Sequence, residues 1–255
     1  MSHKTIYGLV GCPLGHSFSR DFFNEMFVRE GIDAEYLNFE LPDIGDLMEL
    51  LSEIPNLAGF NVTIPYKEQI IPYMDEMDGS ALLAGAVNVV KVVWTNGEPH
   101  LTGFNTDITG FTRSISPLLS DMPEAGKALV LGTGGAAKAV CAGLKELGVE
   151  SQNVSRNPNN GVLTYGMLTP EIMHTHRIIV NATPAGMYPN IDTCPDIPYD
   201  LIEPPTLCFD LVYNPAETMF MREAAEHGAT VKNGLEMLHI QALEAWKIWS
   251  GTHTD

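Results

Sequence analysis

The chain of 255 residues is poor in cations: it has 14 Lys and Arg against 32 Asp and Glu, a formal net charge of −18 at pH 7. Proteins that bind nucleic acids neutralise phosphates with a basic face, and an anionic membrane surface makes the same demand. The charge therefore argues against both partners. Any anionic ligand must be held by local features, such as helix N-termini, hydroxyl groups and single arginines.

Long apolar runs are also missing. No stretch approaches the roughly 20 apolar residues of a membrane span, and no charged segment with a short apolar run follows Met1 as a secretory signal would. We therefore predict no membrane contact and a cytoplasmic location. The cysteines Cys12, Cys141, Cys194 and Cys208 lack C-x-x-C spacing, which argues against a zinc site or disulfide framework and predicts free thiols.

A glycine-rich turn is the strongest positive signal in the second half of the chain. The apolar run Ala128–Leu131 predicts a buried parallel strand, and it leads into Gly132-Thr-Gly-Gly-Ala-Ala137 at the start of a helical pattern. This is G-x-G-x-x-A in the strand–turn–helix context of a dinucleotide site. Gly132 permits the tight turn, Gly134 lets a pyrophosphate approach the backbone, and Ala137 lets helix and strand pack closely. The pattern favours dinucleotide binding over a tight structural turn.

The end of the next predicted strand carries Ser155-Arg156-Asn157. NAD-binding proteins usually place Asp or Glu there to hold the ribose 2′-hydroxyl. The guanidinium of Arg156 can instead bind a 2′-phosphate with two hydrogen bonds, so NADP is favoured over NAD. The alternative is that Arg156 is a solvated loop residue. The stretch from Asn157 to Leu168 is short for a crossover helix, which predicts an abbreviated connection.

Lys67 is a candidate catalytic residue. The run Gly59-Phe-Asn-Val-Thr-Ile-Pro-Tyr-Lys67 has a strand pattern that ends in Asn61 and Thr63 and is interrupted by Pro65. Proline suits the first turn of a helix, which places Lys67 close to a helix N-terminus. The helix dipole there favours the neutral amine, as suits a residue that exchanges a proton with substrate. The alternative is a solvated lysine on a surface helix.

A second polar segment is Asn105-Thr-Asp107, which precedes a helical pattern from about Ile108. One interpretation is that the sole role of Asp107 is to cap that helix. It can also orient the ammonium group of Lys67 in a catalytic pair. The sequence leaves both roles open.

Two hydroxyl residues, Ser17 and Ser19, lie at the start of an amphipathic helical pattern that follows the apolar strand Ile6–Val10. Ser17 can cap this helix. Alternatively, the hydroxyls and the backbone N–H groups of the helix N-terminus hold a carboxylate. His16 beside them is interpreted as a packing or supporting residue.

Strand and helix patterns alternate through the first part of the chain and again from Lys127 to Lys232, which predicts a two-domain α/β protein. Asn96-Gly97 between two strand-like runs predicts a hairpin. The strongest break is the polar, proline-bearing segment Ser116–Gly126. The apolar stripe of the last helical pattern, Gly234–Ser250, is interpreted as core, which leaves Gln241 as the polar residue to explain.

Together these segments resemble the shikimate dehydrogenase family along almost the whole chain. Any one motif can arise by chance, whereas eight in the family order are specific. The motifs are Gly11-Cys-Pro-Leu-Gly-His-Ser-Phe-Ser19, Asn61-Val-Thr-Ile-Pro-Tyr-Lys67, Gly85-Ala-Val-Asn88, Asn105-Thr-Asp107, Gly132-Thr-Gly-Gly-Ala136, Asn181-Ala-Thr-Pro-Ala-Gly-Met187, Asp210-Leu-Val-Tyr-Asn-Pro215, and Asn233-Gly-Leu-Glu-Met-Leu238 with Gln241-Ala242.

The resemblance implies an α/β fold with a substrate-binding domain of residues 1–103 plus 235–255 and a Rossmann-like NADP-binding domain of residues 104–234. The C-terminal helix would return to the substrate domain, with the active site in the cleft between domains. The implied reaction is the NADPH-dependent, reversible reduction of 3-dehydroshikimate to shikimate in aromatic amino-acid biosynthesis, by a monomer or homodimer. Alternatives are a quinate/shikimate dehydrogenase with dual substrate or NAD use, an amino-acid or folate dehydrogenase, and a non-catalytic binding protein.

The resemblance also implies roles for single residues. Lys67 and Asp107 would be the catalytic pair. The substrate would be bound by Ser17, Ser19, Asn61, Thr63, Asn88, Tyr213 and Gln241, with the two serines on its carboxylate. The cofactor would be bound by Gly132, Thr133, Gly134, Gly135, Ala136, Ser155, Arg156, Asn157, Thr183, Gly234 and Met237. No metal is implied.

The chain departs from the family pattern in a few places. Gly-Thr-Gly-Gly replaces the usual Gly-Ala-Gly-Gly, and Lys138 replaces a frequent arginine; both changes are conservative. Ser155-Arg156-Asn157 stands where Asn-Arg-Thr or Asn-Arg-Ser is typical. It keeps the arginine but changes both neighbours, so NADP preference is expected while its strength stays open.

Overall fold

The structure, a computed structural model, describes residues 4–14, 18–122, 126–157 and 161–252. The chain divides into two compact units. The first unit comprises residues 1–106 and 242–255, and the second comprises residues 107–241. Both divisions fall later in the chain than the boundaries expected from the sequence, the second of them within the last helix.

The first unit is built on a six-stranded mixed sheet with the strand order β2-β1-β3-β5-β6-β4. Its strands are β1 (Thr5–Gly11), β2 (Ala34–Glu40), β3 (Leu57–Val62), β4 (Glu76–Met77), β5 (Val89–Thr95) and β6 (Glu98–Phe104), and its helices are α1 (Phe18–Glu30), α2 (Leu47–Glu53) and α3 (Gly79–Ala84). β1 pairs in parallel with β2 and β3, whereas β5 runs antiparallel to both β3 and β6.

The predicted hairpin is confirmed, because β5 and β6 are joined by Asn96-Gly97. Both turn residues have positive φ, 54° and 85°, as in the two-residue turns whose twist matches that of the strands. At the other end of the hairpin Val89 pairs with Phe104. This register brings the segment after β6 next to the start of β5.

Apolar side chains cover both faces of this sheet. On one face, Leu47 of α2 and Phe60 of β3 belong to one buried cluster. On the other face, the rings of Phe23 and Tyr36 stack with centroids 4.8 Å apart, and the ring of Trp249 lies 5.4 Å from that of Phe23. The last helix thus contributes to the core of the first unit.

The second unit is built on five parallel strands in the order β11-β10-β9-β7-β8. The strands are β7 (Ala128–Leu131), β8 (Ser151–Val154), β9 (Ile178–Asn181), β10 (Leu207–Asp210) and β11 (Thr230–Lys232), and the helices are α4 (Asp107–Ser120), α5 (Gly135–Glu146), α6 (Pro170–Thr175), α7 (Met219–Glu226) and α8 (Leu235–Ser250), whose residues from 242 belong to the first unit. The chain reverses direction across the sheet between β7 and β9. Ligands of such sheets bind there, at the carboxyl ends of the strands. The predicted α/β fold class is confirmed.

The structure also corrects one expected boundary. The predicted break over Ser116–Gly126 begins later than expected, since α4 continues through Pro117 to Ser120. Phe111 and Ile115 on its apolar face are fully buried, and this packing outweighs the proline. The abbreviated connection is confirmed, because its described part, from residue 161 to β9, contains only the six-residue α6 as α-helix.

Candidate active site

Lys67 lies in a series of turns after β3. Residues 64–70 form turns, which corrects the predicted helix and removes the helix-dipole argument for this lysine. The cause is a contact distant in sequence: Tyr66 is buried, and its hydroxyl donates a hydrogen bond to the carbonyl of Leu41 at 2.6 Å. The Lys67 carbonyl accepts a hydrogen bond from the N–H of Val87 at 2.7 Å. The backbone of Lys67 is thus tied to the segment that leads into β5.

A chain of hydrogen bonds joins predicted substrate residues in the first unit. The Tyr36 hydroxyl, from β2, donates to Oδ1 of Asn61 at 2.7 Å and also forms a hydrogen bond with Ser19. Burial raises the pKa of Tyr36 well above its ordinary value, and the bond to Ser19 acts in the opposite direction. Asn61 is 5% exposed, and its amide donates to the carbonyl of Asn88 at 3.3 Å.

The chain of hydrogen bonds continues from Asn88 to the end of the unit. Its Nδ2 donates to Oγ1 of Thr106 at 3.1 Å, and its Oδ1 accepts from the N–H of Thr106 at 2.7 Å. Asn105 is held by its own amide, which donates to the carbonyl of Ala86 at 2.9 Å. Asp107 follows directly in the sequence. The network therefore determines the path of the backbone up to the predicted catalytic carboxylate.

Of the other predicted substrate residues of the first unit, the structure describes Thr63 and Ser19 but not Ser17. Thr63 is half-buried directly after β3. Ser17 and His16 lie outside the described residues, so their predicted roles stay predictions. Ser19 is buried in the first turn of α1 and is engaged with Tyr36.

In the second unit, Asp107 and Gln241 lie on two helices that approach closely. α4 begins at Asp107, as predicted, and this residue is buried. A Cβ placed on Gly110 would lie 2.8 Å from the carbonyl oxygen of Met237 and 3.1 Å from Cβ of Gln241. Only glycine permits this spacing. Asp107 lies one turn before Gly110 on α4, and Gln241 lies one turn after Met237 on α8. The contact between these helices therefore brings together the predicted catalytic Asp107, the predicted cofactor residue Met237 and the predicted substrate residue Gln241.

The glycine turn lies at the carboxyl end of β7, where the strand order reverses. Gly132 has φ +119°, and a Cβ there would lie 3.2 Å from the Ala182 carbonyl oxygen. Gly134 has no atom within 4 Å of an added Cβ, and Thr133 and Gly134 are exposed. Gly135 and Ala136 form the first turn of α5. This arrangement fits a pyrophosphate, since the backbone is open and the helix N-terminus faces the same end of the sheet.

Ser155, Arg156 and Asn157 follow β8, the neighbour of β7. Arg156 and Asn157 are exposed, and the Asn157 N–H donates to the Ser155 hydroxyl at 3.3 Å. Asn153 connects this strand to the glycine turn, because its amide donates to the Gly132 carbonyl at 2.9 Å. The position fits a group that would bind the adenosine end of a dinucleotide.

Thr183 follows β9 and is held by a buried network. Its N–H and its hydroxyl both donate to Oδ1 of Asn181, at 3.0 and 2.6 Å. The amide of Asn181 in turn donates to Asp210 at 2.9 Å. Asp210, at the end of β10, is fully buried, and burial raises its pKa to about 6 against the opposing hydrogen bonds from Thr218, Val212 and Asn181.

Tyr213 and Gly234 lie on the loops after β10 and β11. Tyr213 is half-buried, and burial raises its pKa. Gly234 donates its N–H to the Val212 carbonyl at 3.2 Å, and a Cβ there would overlap the Leu211 carbonyl, so glycine is required. The structure thus brings the predicted cofactor residues of the glycine turn, Ser155–Asn157, Thr183 and Gly234 to the carboxyl edge of one sheet.

The residues that the sequence analysis missed are the supporting ones: Tyr36, Thr106, Asn153 and Asp210. Tyr36 reads from the sequence as an ordinary residue of an alternating strand. Asp210 had one signal, a carboxylate directly after the apolar run Leu207–Phe209. A charge at the end of a buried strand indicates a polar role at the carboxyl edge.

Some classes of site are not found in the part of the chain that the structure describes. No group of three or more His, Cys, Asp or Glu residues there is arranged to hold a metal ion. Of the helices described, none is both long enough and apolar enough to span a membrane. The four cysteines are free thiols, and burial raises the pKa of Cys208 to about 12.

Comparison with known proteins agrees with this geometry. Residues 9–90 match the shikimate dehydrogenase substrate binding domain. A shikimate dehydrogenase (NADP(+)) of Methanococcus aeolicus is 34% identical over 100% of this chain and 95% of its own length, and one of Caldicellulosiruptor saccharolyticus is 36% identical over 96% and 92%. The shikimate 5-dehydrogenase of Thermus thermophilus, solved in complex with NADP(H) and shikimate, is 32% identical with a TM-score of 0.82, covering 98% of this chain and 95% of its own. This chain belongs to the shikimate dehydrogenase family.

Proposed function

We propose that this chain is an NADP-dependent dehydrogenase that interconverts 3-dehydroshikimate and shikimate, a step of aromatic amino-acid biosynthesis. The observation that carries the proposal is the full-length match to a structure that holds both NADP(H) and shikimate. Two curated relatives of similar length are shikimate dehydrogenases that use NADP. The parallel sheet with its glycine turn and the polar network of the first unit are the two parts that such a reaction needs.

The carboxyl edge of the second sheet is the cofactor site in this proposal. The backbone of Gly132–Ala136 and the N-terminus of α5 would hold the pyrophosphate. Arg156 would bind the 2′-phosphate, supported by Ser155 and Asn157. The Thr183 hydroxyl donates its proton to Asn181, so it would contact the cofactor only as a hydrogen-bond acceptor. Gly234 and Met237 would lie beside the nicotinamide.

The polar residues of the first unit form the substrate site in this proposal. Ser17 and Ser19 would bind the carboxylate, while Asn61, Thr63 and Asn88 would bind ring hydroxyls. Asn61 accepts from Tyr36 through Oδ1 and donates to Asn88 through Nδ2, so it has one lone pair and one N–H to offer the substrate. Gln241 and Tyr213 would contribute from the second unit.

Catalysis is assigned to Lys67 and Asp107. When bound, the nicotinamide supplies the hydride in the reducing direction and accepts it in the oxidising direction. The ketone oxygen becomes an alkoxide as the hydride arrives, and this oxygen must gain a proton. Lys67, oriented by Asp107, would stabilise the developing charge and supply or relay that proton.

The test is a matrix of four assays: shikimate and quinate, each with NADP and with NAD, followed by the absorbance of the reduced nicotinamide. We expect the highest kcat/KM for shikimate with NADP. Higher values with quinate or NAD would favour the dual-specificity alternative. If calorimetry showed that shikimate and NADP bind but the absorbance did not change, the proposed enzymatic activity would be contradicted, and the chain would be a binding protein.

Two further properties belong to the proposal. The chain would act in the cytoplasm, the location predicted from its sequence. It would be a monomer or homodimer, which light scattering distinguishes.

A further inference from the structure

We propose that Asp210 is a positioning residue that fixes the loop bearing Thr183 relative to the loop bearing Tyr213. The inference rests on the proposed function, since it assigns those two loops to the cofactor and the substrate. Asp210 itself is fully buried and offers no accessible atom to a ligand.

Each oxygen of the Asp210 carboxylate is bound within the second unit. Oδ1 accepts from the amide of Asn181 at 2.9 Å and from the N–H of Val212 at 3.0 Å. Oδ2 accepts from the hydroxyl of Thr218 at 2.6 Å. Charge-assisted bonds of this kind are about twice as strong as neutral ones.

The partners of Asp210 lie at the end of β9 and at both ends of the loop between β10 and α7. Asn181 ends β9 and orients Thr183 through two hydrogen bonds, and its amide also reaches the Ala185 carbonyl at 3.3 Å. Val212 directly precedes Tyr213. Thr218 caps α7 by accepting from the N–H of Met221 at 3.3 Å. One carboxylate thus holds two adjacent loops and a helix N-terminus at the carboxyl edge of the sheet.

A buried charge is an expensive way to hold a fold, because an apolar residue of similar size would pack without desolvation cost. A carboxylate offers something that an apolar residue lacks: it can accept bonds from three directions at once and so fixes the loops in angle as well as distance. Such precision matters at a site where a misplacement of about 1 Å can cost a hundredfold in rate.

The experiment compares Asp210→Ala with Asp210→Asn, using titration with NADPH and steady-state kinetics well below each variant's Tm. The asparagine keeps Oδ1 for Asn181 and Val212 and can donate from Nδ2 to the Thr218 oxygen. We expect Asp210→Ala to raise the Kd for NADPH and the KM for shikimate about tenfold or more, and Asp210→Asn to stay within about threefold.

A control separates positioning from loss of stability. Leu144 is fully buried in the last turn of α5 in the same unit, away from the carboxyl edge. Leu144→Ala should lower Tm while leaving the Kd for NADPH within about twofold. An Asp210→Ala variant that binds NADPH like the wild type, or a Leu144→Ala variant that loses affinity equally, would overturn the inference.

A milder pair covers the case in which Asp210→Ala does not fold. Thr218→Val removes one bond to Asp210, and Thr218→Ser restores the hydroxyl. We expect the valine variant to weaken NADPH binding about threefold and the serine variant to recover it; equal affinities in both would count against the inference. If the wild type itself neither binds NADPH nor oxidises shikimate, the proposed function fails; if the wild type is active and only these differences are absent, this inference alone fails.

Discussion

The two units hold their site residues by different chemistry. In the first unit, Ser19, Tyr36, Asn61, Asn88 and Thr106 are neutral hydroxyls and amides joined in one hydrogen-bonded chain. In the second unit, the corresponding buried network is centred on a carboxylate. The difference is one of response to pH. Burial holds the pKa of Tyr36 well above its ordinary value, so the first network keeps its protons across the physiological range, whereas Asp210 has a pKa of about 6.

The largest expected effect concerns Lys67, the predicted catalytic residue of the first unit. Lys67→Ala should lower kcat about a thousandfold, equivalent to about 4 kcal/mol, while the KM for shikimate changes by less than about threefold. The reason is that the ammonium matters most as charge develops on the substrate oxygen. Steady-state kinetics of shikimate oxidation measure this split.

Lys145→Ala is the matched control for this variant. Lys145 is an exposed residue in the last turn of α5, and its removal should leave both constants unchanged. If Lys67→Ala raised KM with kcat intact, Lys67 would be a binding residue and not a catalytic one.

The next effect separates the two networks by pH. The pKa of Asp210 is raised in the folded state, from 3.8 to about 6, so the folded protein binds this proton more tightly than the unfolded chain. The stabilising contribution is present below pH 3.8 and is lost as pH rises through about 6. Relative to Asp210→Asn, the wild type should therefore lose about 3 kcal/mol of unfolding free energy between these pH values. Denaturant unfolding of both proteins at several pH values measures the difference.

Comparison with Asp210→Asn cancels the carboxylates that both proteins share. A constant difference in unfolding free energy across this pH range would show that folding does not raise the pKa of Asp210. An opposite slope, with the wild type gaining stability as pH rises, would mean that its hydrogen bonds outweigh the burial.

A smaller effect is expected within the first network. Tyr36→Phe leaves the buried Oδ1 of Asn61 without its donor, which should cost about 2 kcal/mol of stability and raise the KM for shikimate several-fold. Tyr199→Phe is the control, because the Tyr199 hydroxyl is partly buried and donates to the Pro195 carbonyl at 2.9 Å, outside the Ser19–Thr106 chain. It should lose stability with KM unchanged. Equal KM values in the two variants would show that the Ser19–Thr106 chain is structural only.

The smallest effect concerns the exposed charge at the edge of the second unit. Arg156→Gln should raise the KM for NADP about tenfold, equivalent to about 1.4 kcal/mol, because the 2′-phosphate loses a charged partner. The KM for NAD should stay unchanged, since NAD has no such phosphate. Parallel assays with both cofactors test this, and a similar loss with both would place Arg156 elsewhere in the site.

Much of the fold was predictable because local signals and packing agree. Asn96-Gly97 predicted a hairpin from backbone conformation alone, and the glycine turn predicted its strand and helix. The helix at Lys67 was wrong because the proline signal is local, whereas the turn depends on Tyr66 and its bond to Leu41. Pro117 suggested that α4 ends early for the same reason. The helix continues through this proline because its apolar face is buried at Phe111 and Ile115.

The sequence predicted residues that would contact ligands, but it did not predict the buried residues that hold them in place. Asn61 stood out as a polar residue at the end of a strand pattern, whereas Asn88 was implied only by the family resemblance. Tyr36 joins Asn61 to Ser19. It lies on a strand whose pairing partner cannot be deduced from the sequence. Asp210 shows the same limit, because its three partners are brought together only by the order of the parallel strands.

The division of α8 between the units has a consequence for how the protein emerges from the ribosome. Residues 107–241 are contiguous, so the second unit builds its core from one uninterrupted segment. The first unit must wait for Trp249, whose indole donates to the Val90 carbonyl at 3.0 Å and fills the space beside Gly59. The first unit therefore cannot complete its aromatic core until α8 is present, although its strands are translated before those of the second unit.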